Sequence, residues 1–276
     1  MKTVIYASLL TAVVSAYLFV TAPPPLPDKS RVESRGDRDI PVSDLFNIVN
    51  QINKDTRNIW TARIVSKGTE AGLKFEEHWL DEGHESGPLP ALFMRLTAEN
   101  LEKQRAPLAV FLGSDMPIKK ANIFQGEQVD QFIKMREDFK PKYFSMQKMG
   151  IEVGMYPDIA SAPGCVSCHN DHPDSAKHDW KLNDLMGAAT WTYPTAAISQ
   201  AELHESIGYV YKAIARSYQT YIEKAQSFST QVQIGAEWPE KGKMALPDTA
   251  VFMSAVIQAT AQPTINATYL GRDSKK

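Results

Sequence analysis

The 276-residue chain has two cysteines, and both fall in one pentapeptide, Cys165-Val166-Ser167-Cys168-His169. Two thiols at this spacing, followed at once by a histidine, are the attachment signature of c-type haem. The thiols add to the two vinyl groups of one haem, and the histidine reaches the iron from the proximal side. Other chemistries fit the pentapeptide less well. A redox-active Cys-x-x-Cys sits in a βαβ context, and no such unit precedes this one. Zinc wants four ligands, so Cys165, Cys168, His169 and His172 would have to serve from within eight residues. An iron–sulfur cluster normally needs four cysteines.

One covalently attached haem c is therefore the expected cofactor, with Cys165 and Cys168 carrying the thioethers and His169 binding iron. Both thiols are consumed, so the sixth ligand must be something else. Met155 is the leading candidate because it lies on a predicted strand running into the motif; its competing reading is a core methionine beside Ile151 and Val153. Met94, Met146 and Met149 follow. His172 and His178 read as members of a solvated Asp- and His-rich loop, and His78 and His84 as exposed. A vacant sixth position would favour gas binding.

Haem c needs an exported compartment, and the N-terminus offers one. After Lys2, the run Val4 to Ala22 is uncharged and mostly apolar, long enough to cross a bilayer core as a helix. A secretory signal cleaved after Ala16 is the alternative. The expectation is an uncleaved anchor in the bacterial inner membrane, single-pass, with the main domain in the periplasm. Residues 23–40 form a linker, proline-rich (Pro23-Pro24-Pro25-Leu26-Pro27) and then charged. The formal net charge is −2 and no lysine or arginine block occurs, which gives nucleic-acid binding no electrostatic support.

The positioning elements follow from periodicity. Leu45, Ile48, Val49, Ile52, Thr56, Ile59, Trp60 and Ile64 predict a helix opened by Pro41 and stopping near Gly68. Residues 66–88 read as irregular, and a second helix follows Pro88 and Pro90 and ends before Pro107. Strands are predicted at 108–112, 143–146, 151–156 and 186–193, with a hairpin loop at 147–150 and a helix over 128–139. The haem motif reads as part of an Asp-, Pro- and Gly-rich loop. From Ile198 to Ala225 an apolar stripe predicts a long helix, either a core helix or a dimer seam. A modest helix is expected from Pro247 to Ala261.

Several stretches then bring a family into view: Pro157-Asp158-Ile159-Ala160, Gly164 to Asn170, Asp171-His172-Pro173-Asp174-Ser175, Asp179 to Asp184, and Met186-Gly187. Gly87 to Ala91 and Phe111 to Asp115 fit as well. Residues 41–225 resemble the bacterial extracytoplasmic c-type haem PAS-like sensory domains. The resemblance implies an α+β fold, a PAS-like antiparallel sheet flanked by helices, with the haem near the sheet edge. With the apolar and charged patterning, the chain divides into a membrane segment (1–22), the linker (23–40), a haem domain (41–195), a long amphipathic helix (196–228) and a C-terminal tail with a short helix (229–276). No kinase, cyclase or methyl-accepting coiled coil is legible, so such a sensor would signal through a membrane signalling or redox partner, or as a homodimer through its N- or C-terminal helix. The alternative function is a monohaem electron carrier. An enzyme is not expected, since no distal His–Arg pair accompanies the motif.

Overall fold

The structure is a computed structural model that describes residues 39–229 and 246–269. The predicted anchor (1–22), nearly all of the linker and Trp238-Pro239 lie outside the described residues. Among the described residues, no helix is long and apolar enough to cross a membrane.

Strand β1 (Ile40–Pro41) leads into helix α1 (Val42–Ile59). Helix α1 buries Leu45, Phe46, Ile48, Val49, Ile52, Thr56 and Ile59, the three-and-four spacing of one apolar face. It continues without a break into a π-helical stretch, Trp60–Ser66, and a last α-helical piece, α2 (Lys67–Glu70). The expected stop at Gly68 is thus corrected. Gly68 lies inside the helix, where an added Cβ would come within 2.9 Å of the Phe75 ring. The terminator is Gly72, at φ +99°, with Leu73 N donating to the Gly68 carbonyl as in a Schellman cap.

The supposedly irregular segment 66–88 contains two short parallel strands, β2 (Lys74–Glu76) and β3 (Ser86–Pro88). Helix α3 (Pro90–Glu102) follows as expected, with its proline in the first turn, where a missing N–H is harmless.

The central sheet is antiparallel, built from β4 (Ala109–Gly113), β5 (Lys142–Met146), β6 (Ile151–Ile159) and β7 (Leu185–Tyr193) in the order β4-β7-β6-β5. Between β4 and β5 lies α4 (Glu127–Asp138), and between β6 and β7 lies α5 (Pro163–Asp171). The haem motif is therefore on a helix, which corrects the loop reading. Trp191 pairs with Val110 on one side and Gly154 on the other, while Thr190 pairs with Phe111 and Met155. Alternation then sends Tyr156, Trp191 and Tyr193 to one face and Met155, Ala188 and Phe111 to the other.

The first face packs into the main core with α1, α3 and the long helix α6 (Gln200–Gln226), which follows the short strand β8 (Ala197–Ile198). The second is covered by Phe132 and Met135 of α4, together with Phe124. Ser199 and Glu202 close a capping box at the start of α6.

The apolar stripe of α6 is used inside this chain. Thr97 and Asn100 of α3 donate to Ser217, and Tyr218 stacks on Phe252 of α7 (Thr249–Ala259) at 3.9 Å between ring centroids. The modest C-terminal helix proves to be two, α7 and α8 (Ala261–Tyr269). Tyr211 of α6 shares hydrogen bonds with Thr260 and Thr264.

Gly187 of β7 marks the tightest strand approach. A Cβ there would lie 2.4 Å from the Gly113 carbonyl oxygen. The obstacle is backbone, so no rotamer relieves it, and Gly187→Ala is expected to lose about 1–3 kcal/mol in urea unfolding. An unchanged midpoint would show that β4 and β7 separate more easily than their pairing implies.

Candidate functional site

Strand β6 delivers the chain to the motif, and Pro163 starts α5 from an extended Ala162. The helix ends where His172 N donates to the Cys168 carbonyl at 3.0 Å, immediately before Pro173. Cys165 and Cys168, three residues apart, share one face of α5. Cys165 is half-buried and Cys168 exposed, and both are free thiols. Burial, reinforced by the charges of Glu77, Cys165 and Asp171, pushes the Cys168 thiol up, so it lacks the lowered pKa of an activated redox cysteine.

His169 is half-buried, and its Nδ1 is shielded from solvent with no hydrogen-bond partner. Its ring meets Trp180 edge-on, at 6.3 Å between centroids. Burial pushes the imidazole pKa down, assisted by the charges of His172, Arg95 and Arg57 and opposed by Asp158. The neutral ring so favoured is the state that ligates a metal. Beside it, Ala160, Trp180 and Met186 form a small apolar cluster against which Met116, Cys165 and Val166 pack. A half-buried imidazole with an unused nitrogen, two free thiols on one helical face and an adjoining apolar wall together fit a covalently held haem.

The segment after the motif fastens α5 in place. The Asn170 side chain brackets Trp180, accepting from its backbone N at 2.8 Å and donating to its carbonyl at 3.0 Å. The Lys177 ammonium lies 4.5 Å from the centroid of the Trp180 ring. The reading of His172 as solvated needs correction: its Nε2 is 2.8 Å from Glu77 Oε2, and its side chain is 18% exposed. His178 is exposed, as expected, with Nδ1 against the Asn170 carbonyl. His78 is also exposed, and His84 sits against Glu76.

Met155 is fully buried on the α4 side of the sheet, among Phe124, Phe132, Met135, Leu185 and Ala188. The structure brings it together with these apolar side chains and not with the cluster that holds Cys165. Met94 lies in the main core, and Met149 is exposed. The methionines that share the motif's cluster are Met116 and Met186, which sequence reasoning passed over; no periodicity links Met116, in the loop after β4, to a residue fifty positions later. Among the described residues, no three His, Cys, Asp or Glu side chains gather as a metal-binding group.

A charged layer adjoins the motif and was not legible either. Arg57 of α1 donates to Asp158 of β6 at 2.7 Å, and the Asp158 carboxylate and nearby Cys165 raise the guanidinium pKa further. Glu77 bridges His172 and Lys119. Burial pushes the Glu77 carboxyl up, but hydrogen bonds from His172 and Lys119 outweigh it and hold the pKa below the usual 4.5.

A carboxylate with a depressed folded pKa contributes stability that is present above its unfolded value and lost as pH falls through the folded one. Glu77→Gln should therefore cost about 1 kcal/mol at neutral pH, and the gap to the parent protein should close on acidification below the usual carboxylate range. A gap that stays constant over that range would mean the carboxylate's charge is not what matters.

A family model described as Tll0287-like matches residues 43–194, more than half of the chain. No curated protein and no solved structure matches it.

Proposed function

The chain belongs to the Tll0287-like family, and from that premise we propose that it is a c-type haem sensory protein of the PAS-like kind, responding to redox state or to a small gas. The observation that carries this reading is the motif helix itself. Cys165, Cys168 and His169 lie together on α5, and the imidazole is half-buried with one nitrogen unused.

Cys165 and Cys168 would hold the haem through thioethers and His169 would ligate its iron; the bound haem supplies one-electron and gas-binding chemistry. The residues around them do the rest. Trp180 and Met186 exclude water from the His169 side, and Asn170 fixes the end of α5. The fixed charges of Arg57, Asp158 and Arg95 act on the imidazole. Met116 and Met186 are the methionine side chains that pack in the motif's apolar cluster.

The wider setting belongs to the same proposal. Residues 1–22 would anchor the protein in the bacterial inner membrane with the domain in the periplasm, and the output would pass to a membrane signalling or redox partner or through a homodimer. The protein would act without catalysing a reaction. The alternative, a monohaem electron carrier, would use the same attachment residues on α5, with the bound haem supplying one-electron chemistry.

Absorption spectra of oxidised and reduced protein, with and without CO or NO, separate these readings. Gas sensing predicts that CO or NO shifts the Soret band of the reduced protein. Unshifted bands, with rapid electron exchange to small periplasmic donors, favour the carrier. A protein with no Soret band, made in a host able to attach haem c, overturns both.

A further inference from the structure

We propose that Arg95 on α3 is the anchor for a haem propionate carboxylate. The proposal rests on the haem reading above and adds to it how the carboxylate side of the group is held.

Arg95 is half-buried, and its Nε is shielded from solvent with no hydrogen-bond partner. When the Asn122 amide is turned, its oxygen accepts from the two terminal nitrogens of the guanidinium at 2.8 and 3.3 Å. That occupies one side of the planar fork and leaves the other without an acceptor. Glu77, Glu99 and Asp158 act on Arg95 through their charge, but none pairs with it among the described residues. Asp158 is taken by Arg57, and Glu77 by His172 and Lys119. Burial alone would push the guanidinium pKa down.

A cation partly removed from water without a counter-ion is costly. Here it stands close to the motif: the carbonyl of Asn122, the residue that meets its guanidinium, accepts from Ser114 N at 3.0 Å, and Ser114 Oγ donates at 2.6 Å to the carbonyl of Met186 in the motif's apolar cluster. Arg57 already has its carboxylate in Asp158, whereas Arg95 Nε has no partner.

The missing partner is thus an anion of carboxylate shape, met by the free side of a guanidinium fork. Haem brings two such groups. A propionate placed there satisfies Nε, neutralises the cation and leaves the Arg57–Asp158 pair intact. The same chemistry could be met by a free inorganic anion, and the test separates the two.

Arg95→Gln and Arg95→Lys are compared with the parent protein after covalent haem content has been confirmed for each. Removing a positive charge beside the haem favours the oxidised iron. In R95Q the ratio of reduced to oxidised protein at a fixed potential should fall about tenfold, equivalent to about 59 mV for one electron. The resonance Raman band of propionate bending should shift with it. R95K keeps the charge without the fork, so its potential should lie between the two while the propionate band still shifts; it also serves if R95Q fails to fold.

Unchanged potential and Raman band in the folded variants overturn the proposal. So does a parent protein whose potential moves on adding inorganic phosphate while R95Q does not respond, since the arginine would then hold a free anion. Absence of haem from the parent protein is a different failure, that of the haem reading, and is seen before any variant is made.

Discussion

Replacing Cys165 and Cys168 together with alanine is expected to abolish covalently bound haem. Denatured protein on a gel should lose all haem-dependent peroxidase staining, and extraction with acidified organic solvent should leave no pigment on the protein. The expectation follows from supply: these are the only two cysteines of the chain, so no other thiol can form the bond. Either single substitution should leave one thioether, with staining reduced and the reduced pyridine complex shifted toward longer wavelength. The double variant should still fold around the main core, because neither cysteine belongs to it. Staining that survives in the double variant would show that haem is retained by another bond, and the reading of α5 would fail with it.

The largest loss of stability is expected from Trp60→Ala. Trp60 is fully buried where α1 passes into the π-helical stretch. It stacks on Phe93 at 4.1 Å and 5° between planes, and meets Tyr218, Tyr221, Phe252 and Phe75 edge-on. Its Nε1 donates to the Pro88 carbonyl at 3.2 Å.

One side chain thus joins α1, β3, α3, α6 and α7. Truncating a buried aromatic of this size costs about 3–5 kcal/mol, a large share of the 5–15 kcal/mol typical of a folded domain. Urea unfolding should register it as a strongly lowered midpoint with an unchanged slope. Arg57 lies one turn before Trp60 on the same helix, so the variant should also disturb the Arg57–Asp158 pair. A loss below about 1 kcal/mol would mean that the aromatic cluster is not what closes the core.

The strands and long helices were legible because their apolar spacing is long and unambiguous. Leu45 to Ile59 and Leu203 to Tyr221 each present one buried stripe, and β4, β5, β6 and β7 overlap the apolar and strand-forming runs expected at 108–112, 143–146, 151–156 and 186–193, with β6 running on to Ile159. The misreadings share a physical cause: the deciding contact lies outside the local sequence.

Gly68 looks like a terminator, yet its missing side chain makes room for Phe75, while the left-handed turn is taken by Gly72. Strands β2 and β3 have three residues each and no periodicity to betray them. The motif helix is short and exposed enough to look like loop, although Pro163 at its first turn was a usable signal.

At the site, Cys165, Cys168 and His169 were legible because their spacing is itself the chemistry. Arg57, Asp158, Glu77 and Arg95 were not, since they come from α1, β6, the segment after β2 and α3, and no pattern in the chain links them. Met155 shows the limit from the other side. Its place on β6 was right, but alternation sends its side chain to the face that α4 covers.

The central claim is that Cys165 and Cys168 carry one haem, and a mass measurement on a single peptide tests it. Trypsin releases the motif within Met149–Lys177, which contains both cysteines. From protein produced in a host able to attach haem c, that peptide is predicted to carry the mass of one haem, with no thiol left to alkylate. The bare peptide mass with two alkylatable thiols would contradict the account.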